Sequence, residues 1–357
     1  MSYLMIQMIP LIHSMLHQKM HKPNSKNNPN SKNKSNLTLP MRSYSLLAPA
    51  KINLYLEIIG DRADGYHELV MVMQSVDLAD QIDLRANGTD IIRLSCNRSD
   101  VPSDRTNLAY KAAELMIQQF PECFARYGAV DITIRKRIPV GAGLAGGSTN
   151  AAAVLVGLDL LWQLGLTQSE LQELGAVLGS DVPFCVAGGT ALATGRGEKL
   201  DALPDLDQLF VVLAKYRSLS VSTPWAYKTY RQQFGQSYLR ELDQQEGRKR
   251  QIHAGSMMQA IAQRDGHRIG QLLYNDLEKV VLPEYPQVAQ LREEFQRLGS
   301  LGTMMSGSGP TVFALAESRA QAEQMRDQMQ ITIANPDLEL FVAQFCNSGI
   351  QIAPPQA

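Results

Sequence analysis

From residue 50 onward the chain alternates, with Ile52, Leu54, Leu56 and Ile58 on one side and Lys51, Asn53, Tyr55 and Glu57 on the other. A period of two predicts a strand with one buried face, which places Lys51 and Asn53 side by side, pointing out of the core. Asp64-Gly65 predicts a turn, and the apolar run after Tyr66 and His67 predicts a second strand. Residues 107–119 read as a helix. Val130, Ile132 and Ile134 alternate with Asp131, Thr133 and Arg135, predicting a further strand that runs into glycines 141–147. A long helix is expected to open at Ser148, with Leu155, Leu158 and Trp162 on one face. A second covers 167–178, capped by Thr167 with Glu170 three residues on and closed by Gly179.

A compositional shift at 202–209 suggests a domain boundary, giving units at 41–205 and 206–357. In the second unit a polar helical stretch (225–250) leads to further helices. A second glycine-rich turn spans 306–310, with a short apolar strand at 311–315. A helix from Arg319 and a strand at 338–344 complete an α+β unit.

The first 40 residues differ. They contain no Asp, Glu or Arg but hold Lys19, Lys22, Lys26, Lys32 and Lys34, and 24–36 is almost entirely Asn, Ser and Lys. Such a segment cannot bury apolar surface and is expected to be disordered. It reads either as a targeting leader or as an upstream start ahead of Met41. The chain as a whole carries a formal net charge of -1, and without those five lysines the rest is about -6. That balance speaks against a nucleic-acid or membrane-surface role, and no apolar run is long enough to span a bilayer. Cys96, Cys123, Cys185 and Cys346 are scattered, as reduced thiols of a cytoplasmic-type compartment are. The expected location is therefore the cytoplasm, or a plastid stroma if 1–40 is a transit peptide. The oligomeric state is left open.

The most informative segment is Pro139, Val140, Gly141, Ala142, Gly143, Leu144, Ala145, Gly146, Gly147, Ser148 and Thr149. Glycines let backbone approach a ligand, and the free N–H groups of the following helix suit a polyphosphate. A plain strand-to-helix turn is the simplest alternative. Gly141, Gly143 and Gly146 also satisfy the dinucleotide G-x-G-x-x-G spacing. That motif needs a strand after the helix, whereas a second helix follows here. A Walker A loop is excluded because no Lys-Ser or Lys-Thr follows the glycines.

The loop resembles the second motif of the GHMP kinases, the family of galactokinase, homoserine kinase and mevalonate kinase. Pro49-Ala-Lys-Ile-Asn-Leu54 resembles the first motif and Gly302-Thr-Met-Met-Ser-Gly-Ser-Gly-Pro-Thr311 the third, in the right order. The resemblance implies an α+β fold of two domains with the active site in the cleft between them, and ATP held by residues 139–149. Arg62-Ala-Asp-Gly-Tyr-His-Glu-Leu69, Gly179-Ser-Asp-Val-Pro-Phe184, Ser222-Thr-Pro-Trp-Ala-Tyr227 and Asn275-Asp-Leu-Glu278 resemble one branch of the family. That branch phosphorylates the 2-hydroxyl of a cytidine diphosphate-linked methylerythritol in non-mevalonate isoprenoid synthesis. A homoserine- or mevalonate-type kinase, or a catalytically silent ligand sensor, are the alternatives.

On this resemblance Asp181 is the base and Lys51 its partner, holding the carboxylate ionised. Asn53, Tyr66, His67 and Tyr227 are substrate residues, the two tyrosines clamping cytosine. Asn107 and Lys136 fall where the family contacts adenine and ribose. Ser148 helps hold Mg²⁺, with Glu170 a weaker candidate already explained by its cap. Taken without the resemblance, Asp181 caps a turn, Lys51 is a solvated strand lysine and both tyrosines pack.

Overall fold

The computed structural model describes residues 43–354. The expectation for 1–40 lies outside the described residues. The first half runs β1 (Ser43–Asp61), β2 (His67–Ala86), β3 (Arg93–Cys96), α1 (Leu108–Gln119), α2 (Pro121–Tyr127), β4 (Val130–Arg135), α3 (Gly146–Trp162), α4 (Gln168–Leu178), α5 (Val182–Ala187), β5 (Thr190–Gly195) and β6 (Lys199–Ala202). The second half runs β7 (Phe210–Tyr216), α6 (Thr223–Phe234), α7 (Leu242–His253), α8 (Ser256–Ala262), α9 (Gly266–Gln271), β8 (Tyr274–Asn275), α10 (Glu278–Glu284), α11 (Pro286–Arg297), β9 (Gly302–Met305), β10 (Val312–Ala316), α12 (Arg319–Ile333), β11 (Leu338–Gln344) and β12 (Gln351–Ile352). The fold is α+β. No helix of the described residues is long and apolar enough to cross a membrane.

One sheet has the order β12-β1-β2-β4-β3, with β5 and β6 added beside β2 and the short β8 parallel to β1; the other is β11-β7-β10-β9. The chain changes sheet between Ala202 and Phe210, yet the cores are shared. One apolar cluster lies under α1, α3 and α4. The other two each mix side chains from both sides of that crossing, such as Leu56 and Met71 with Val212 and Phe295, or Ile52 and Val70 with Val211 and Phe313.

β1 departs from the expected simple alternation. Its pairing with β2 slips between Asn53 and Tyr55. A bulge inserts one residue and exchanges the faces beyond it. Ile52 and Leu54 therefore enter one cluster, and Leu56 and Ile58 the other. Lys51 and Asn53 do share a face, but they are buried, at 5% and 0% exposure, and not turned to solvent. The glycine-rich turn after β9 covers them: a Cβ at Gly307 would lie 3.3 Å from Asn53 Oδ1 and 3.9 Å from Lys51 Nζ.

Candidate active site

A cleft of about 790 Å³ runs between the loop at 139–148, the middle of β1, α6 and the turn at 307–308. The phosphate-type loop is a series of left-handed turns. Gly141 and Gly143 have φ of +61° and +74°, and Ala145 takes φ 57° at the helix N-cap. Because Ala145 turns the chain straight into helical backbone, α3 opens at Gly146, two residues before the expected start. Its first-turn N–H groups have no intrahelical acceptor and, with the positive end of the helix dipole, favour an anion. Ser148 lies in this turn and lines the cleft, whereas Thr149 is fully buried and does not.

Close backbone approach locks the loop to the rest of the site. A Cβ on Gly143 would stand 2.3 Å from the Ser306 carbonyl oxygen, and Ser306 Oγ donates to the Gly143 carbonyl at 3.2 Å. Leu144 O accepts from Lys51 N at 3.2 Å. Asn275, on β8, pins the 306–310 turn from behind. Its Nδ2 donates to the Met305 and Gly307 carbonyls, both at 2.8 Å, while its Oδ1 accepts from Leu277 N at 2.9 Å.

Lys51 Nζ donates to Asn53 Oδ1 at 2.6 Å and faces Asp181 Oδ2 at 3.5 Å. Asp181 stands at the N-cap of α5, yet its side chain makes no capping bond. Its carboxylate is thus available to the cleft, with 30% of the side chain exposed. The arrangement can polarise a hydroxyl placed between the carboxylate and the phosphate loop.

At one end of the cleft Lys136 lies buried on Asp80, with its Nζ also 3.3 Å from Asn150 Oδ1. Asp80, fully buried, accepts in addition from Asn150 Nδ2 and from the amides of Arg137 and Ile138 at 2.7–2.9 Å. Nothing local in the sequence singles out Asp80. Asn107 lines the cleft too, but its amide is engaged: Oδ1 caps Ala109 N at 2.9 Å and Nδ2 donates to Pro102 O at 2.7 Å.

At the other end His67 packs on Tyr227, with ring centroids 5.0 Å apart and planes tilted by 35°, and meets Tyr238 edge-on at 5.9 Å. His67 Nε2 is buried with no hydrogen-bond partner and has Asp61 at 3.9 Å. Burial, helped by Arg231, lowers the His67 pKa from 6.5 to about 4. A neutral ring offers a donor and an acceptor. Tyr66 is 50% exposed, and the Arg196 guanidinium lies 4.9 Å from its ring centroid. Glu170 closes the capping box with Thr167 and does not line the cleft.

Residues 107–189 match the GHMP kinases N terminal domain and 257–335 the GHMP kinases C terminal. The chain is 66% identical over 313 residues to a 4-diphosphocytidyl-2-C-methyl-D-erythritol kinase of Nostoc punctiforme, covering 87% of this chain and 99% of the relative. It is 65% identical over 312 residues to the same-named protein of Gloeothece citriformis, with the same two coverages. A crystal structure of 4-(cytidine 5'-diphospho)-2C-methyl-D-erythritol kinase aligns with TM-score 0.64 and 31% identity, over 84% of this chain and 98% of that one. Homoserine kinase from Cytophaga hutchinsonii aligns with TM-score 0.67 at 19% identity, over 91% of this chain and 100% of that one, a likeness of fold alone.

Proposed function

The chain belongs to the GHMP kinases, in the family of 4-diphosphocytidyl-2-C-methyl-D-erythritol kinases, and from that premise we propose which residues carry its reaction. It is a phosphotransferase that uses ATP. The proposed step moves the γ-phosphoryl group to the 2-hydroxyl of 4-diphosphocytidyl-2-C-methyl-D-erythritol, leaving ADP. The observation that supports it best is the position of Asp181 and Lys51, in one cleft with the glycine loop at one end and His67 and Tyr227 at the other.

Phosphoryl transfer depends mainly on positioning and charge stabilisation. The loop at 139–148 holds the triphosphate through backbone N–H groups and the N-terminus of α3. Asn107 and Lys136 face the nucleoside; because Asp80 fixes Lys136, its ammonium acts as a positioned donor. Asp181 accepts the proton of the attacking hydroxyl. Lys51, itself oriented by Asn53, faces that carboxylate and draws the hydroxyl and the phosphoryl oxygens together. His67 reads the cytosine edge, with Tyr227 and Tyr66 as its aromatic walls.

The donor set fits Mg²⁺ held chiefly by phosphates. The cleft offers the carboxylates Asp181 and Asp100 and the Ser148 hydroxyl, and among the described residues no cluster of three His, Cys, Asp or Glu forms a protein cage. Bound there, Mg²⁺ would neutralise phosphate charge, with Ser148 as its protein ligand.

The test is coupled ADP release with the cytidylyl substrate beside homoserine and mevalonate. Turnover is expected with the first alone. Preferred turnover of either of the others would overturn the substrate assignment while leaving the kinase family intact.

A further inference from the structure

The cleft carries more positive charge than the proposed chemistry uses. Its cationic side chains are Lys51, Lys136, Arg196, Lys228 and Arg231, and its carboxylates are Asp100 and Asp181. This concentration occurs in a chain whose formal net charge is -1. Lys51 faces Asp181, Lys136 is bonded to Asp80, and Arg231 holds Asp61 at 2.8 Å. Among the described residues, Arg196 and Lys228 make no ion pair, and the carboxylate that feels Arg196, Asp64, is itself held by Arg62 at 3.0 Å. Unmatched cations in a concave site concentrate anionic ligands.

Both sit beside the aromatic end. Lys228 follows Tyr227 on α6. Arg196 occupies the tip of the hairpin between β5 and β6, where its position is tightly defined. Gly195 and Gly197 take φ of +73° and +114°, Gly197 N donates to Thr194 O at 3.1 Å, and Arg196 N donates to Glu198 Oε2 at 2.7 Å. A Cβ at Gly197 would lie 2.6 Å from Met71 Cε and within 3.9 Å of Ser180, the residue before Asp181. The turn is therefore seated against the proposed catalytic segment. From it the guanidinium reaches the Tyr66 ring at 4.9 Å.

We infer that Arg196, with Lys228 beside it, forms the subsite for the diphosphate of the nucleotide-linked substrate, between the aromatic end and Asp181. The inference rests on the cytidine reading of that end. A guanidinium presents a planar fork of donors that matches phosphate oxygens, and its contact with Tyr66 couples base stacking to diphosphate binding. The triphosphate of ATP is provided for at the glycine loop, so these two cations serve the acceptor substrate.

Equilibrium binding of cytidine and of CDP to the full chain tests this without turnover, since neither carries the acceptor hydroxyl. Wild type is expected to bind CDP more tightly than cytidine. Arg196→Gln should cut that preference by about ten-fold or more, Arg196→Lys should restore part of it, and Lys228→Gln should lower it less. The KM for ATP should not move. If cytidine and CDP weaken alike in Arg196→Gln, or if the preference is unchanged, the diphosphate subsite is wrong although the cytidine reading stands. If wild type binds neither nucleotide, the cytidine reading falls and the subsite with it.

Discussion

Lowering the pH from 7 to 5 should destabilise this protein in part through His67. The free imidazole titrates near 6.5, whereas burial in the fold takes His67 to about 4. Between those values the unfolded chain binds a proton that the folded chain refuses, so stability rises with pH across the window. The contribution is complete above 6.5 and is lost as pH falls toward 4. For one site with these two pKa values, the step from pH 7 to pH 5 costs about 2 kcal/mol. The assay is urea unfolding of wild type and His67→Gln at both pH values. Other titrating groups cancel in the comparison, and the variant should lose about 2 kcal/mol less than wild type. Cytidine affinity should follow the same logic, flat from pH 8 to 6 and falling below about 5, because an imidazolium has no acceptor. Equal acid losses in the two proteins would refute the buried, neutral assignment of His67.

The remaining expectations concern the carboxylate and the two glycine-rich turns. Asp181→Asn keeps the N-cap shape, and with no capping bond to lose it should melt like wild type; single-turnover phosphoryl transfer should fall by about 10²–10⁴-fold, and transfer within a few-fold of wild type would make Asp181 a turn residue only. Gly143→Ala adds a left-handed alanine, costing about 1 kcal/mol or more, and a methyl 2.3 Å from the Ser306 oxygen; thermal melting should drop and the KM for ATP should rise more than that for the acceptor. Asn275→Ala leaves buried Met305 and Gly307 carbonyls unpaired, at about 1–3 kcal/mol for a lost partner; urea unfolding within 0.5 kcal/mol of wild type, a limit set at about the scatter of surface substitutions, would show that the turn holds itself.

Much of this protein was legible along the chain because the signals are local. The capping box at Thr167 and Glu170, the helix starting after Asn107 and the strand at 338–344 follow from propensity and turn chemistry within a few residues. The segment at 49–54 and the two glycine-rich segments were readable for the same reason, the latter because backbone that must approach a ligand or another loop needs residues without a Cβ. Their order was enough to indicate the family. Sequence could not fix what depends on contacts between distant segments. The bulge after Asn53 exchanges the faces of β1, and it arises from register against β2. The burial of Lys51 and Asn53 is imposed by a turn from the far end of the chain. Asp80 looks like any strand carboxylate until Lys136, Asn150 and two amides converge on it. A buried charge is tolerated only where partners meet it, and which partners meet is decided by how distant segments pack, not by any neighbour in sequence.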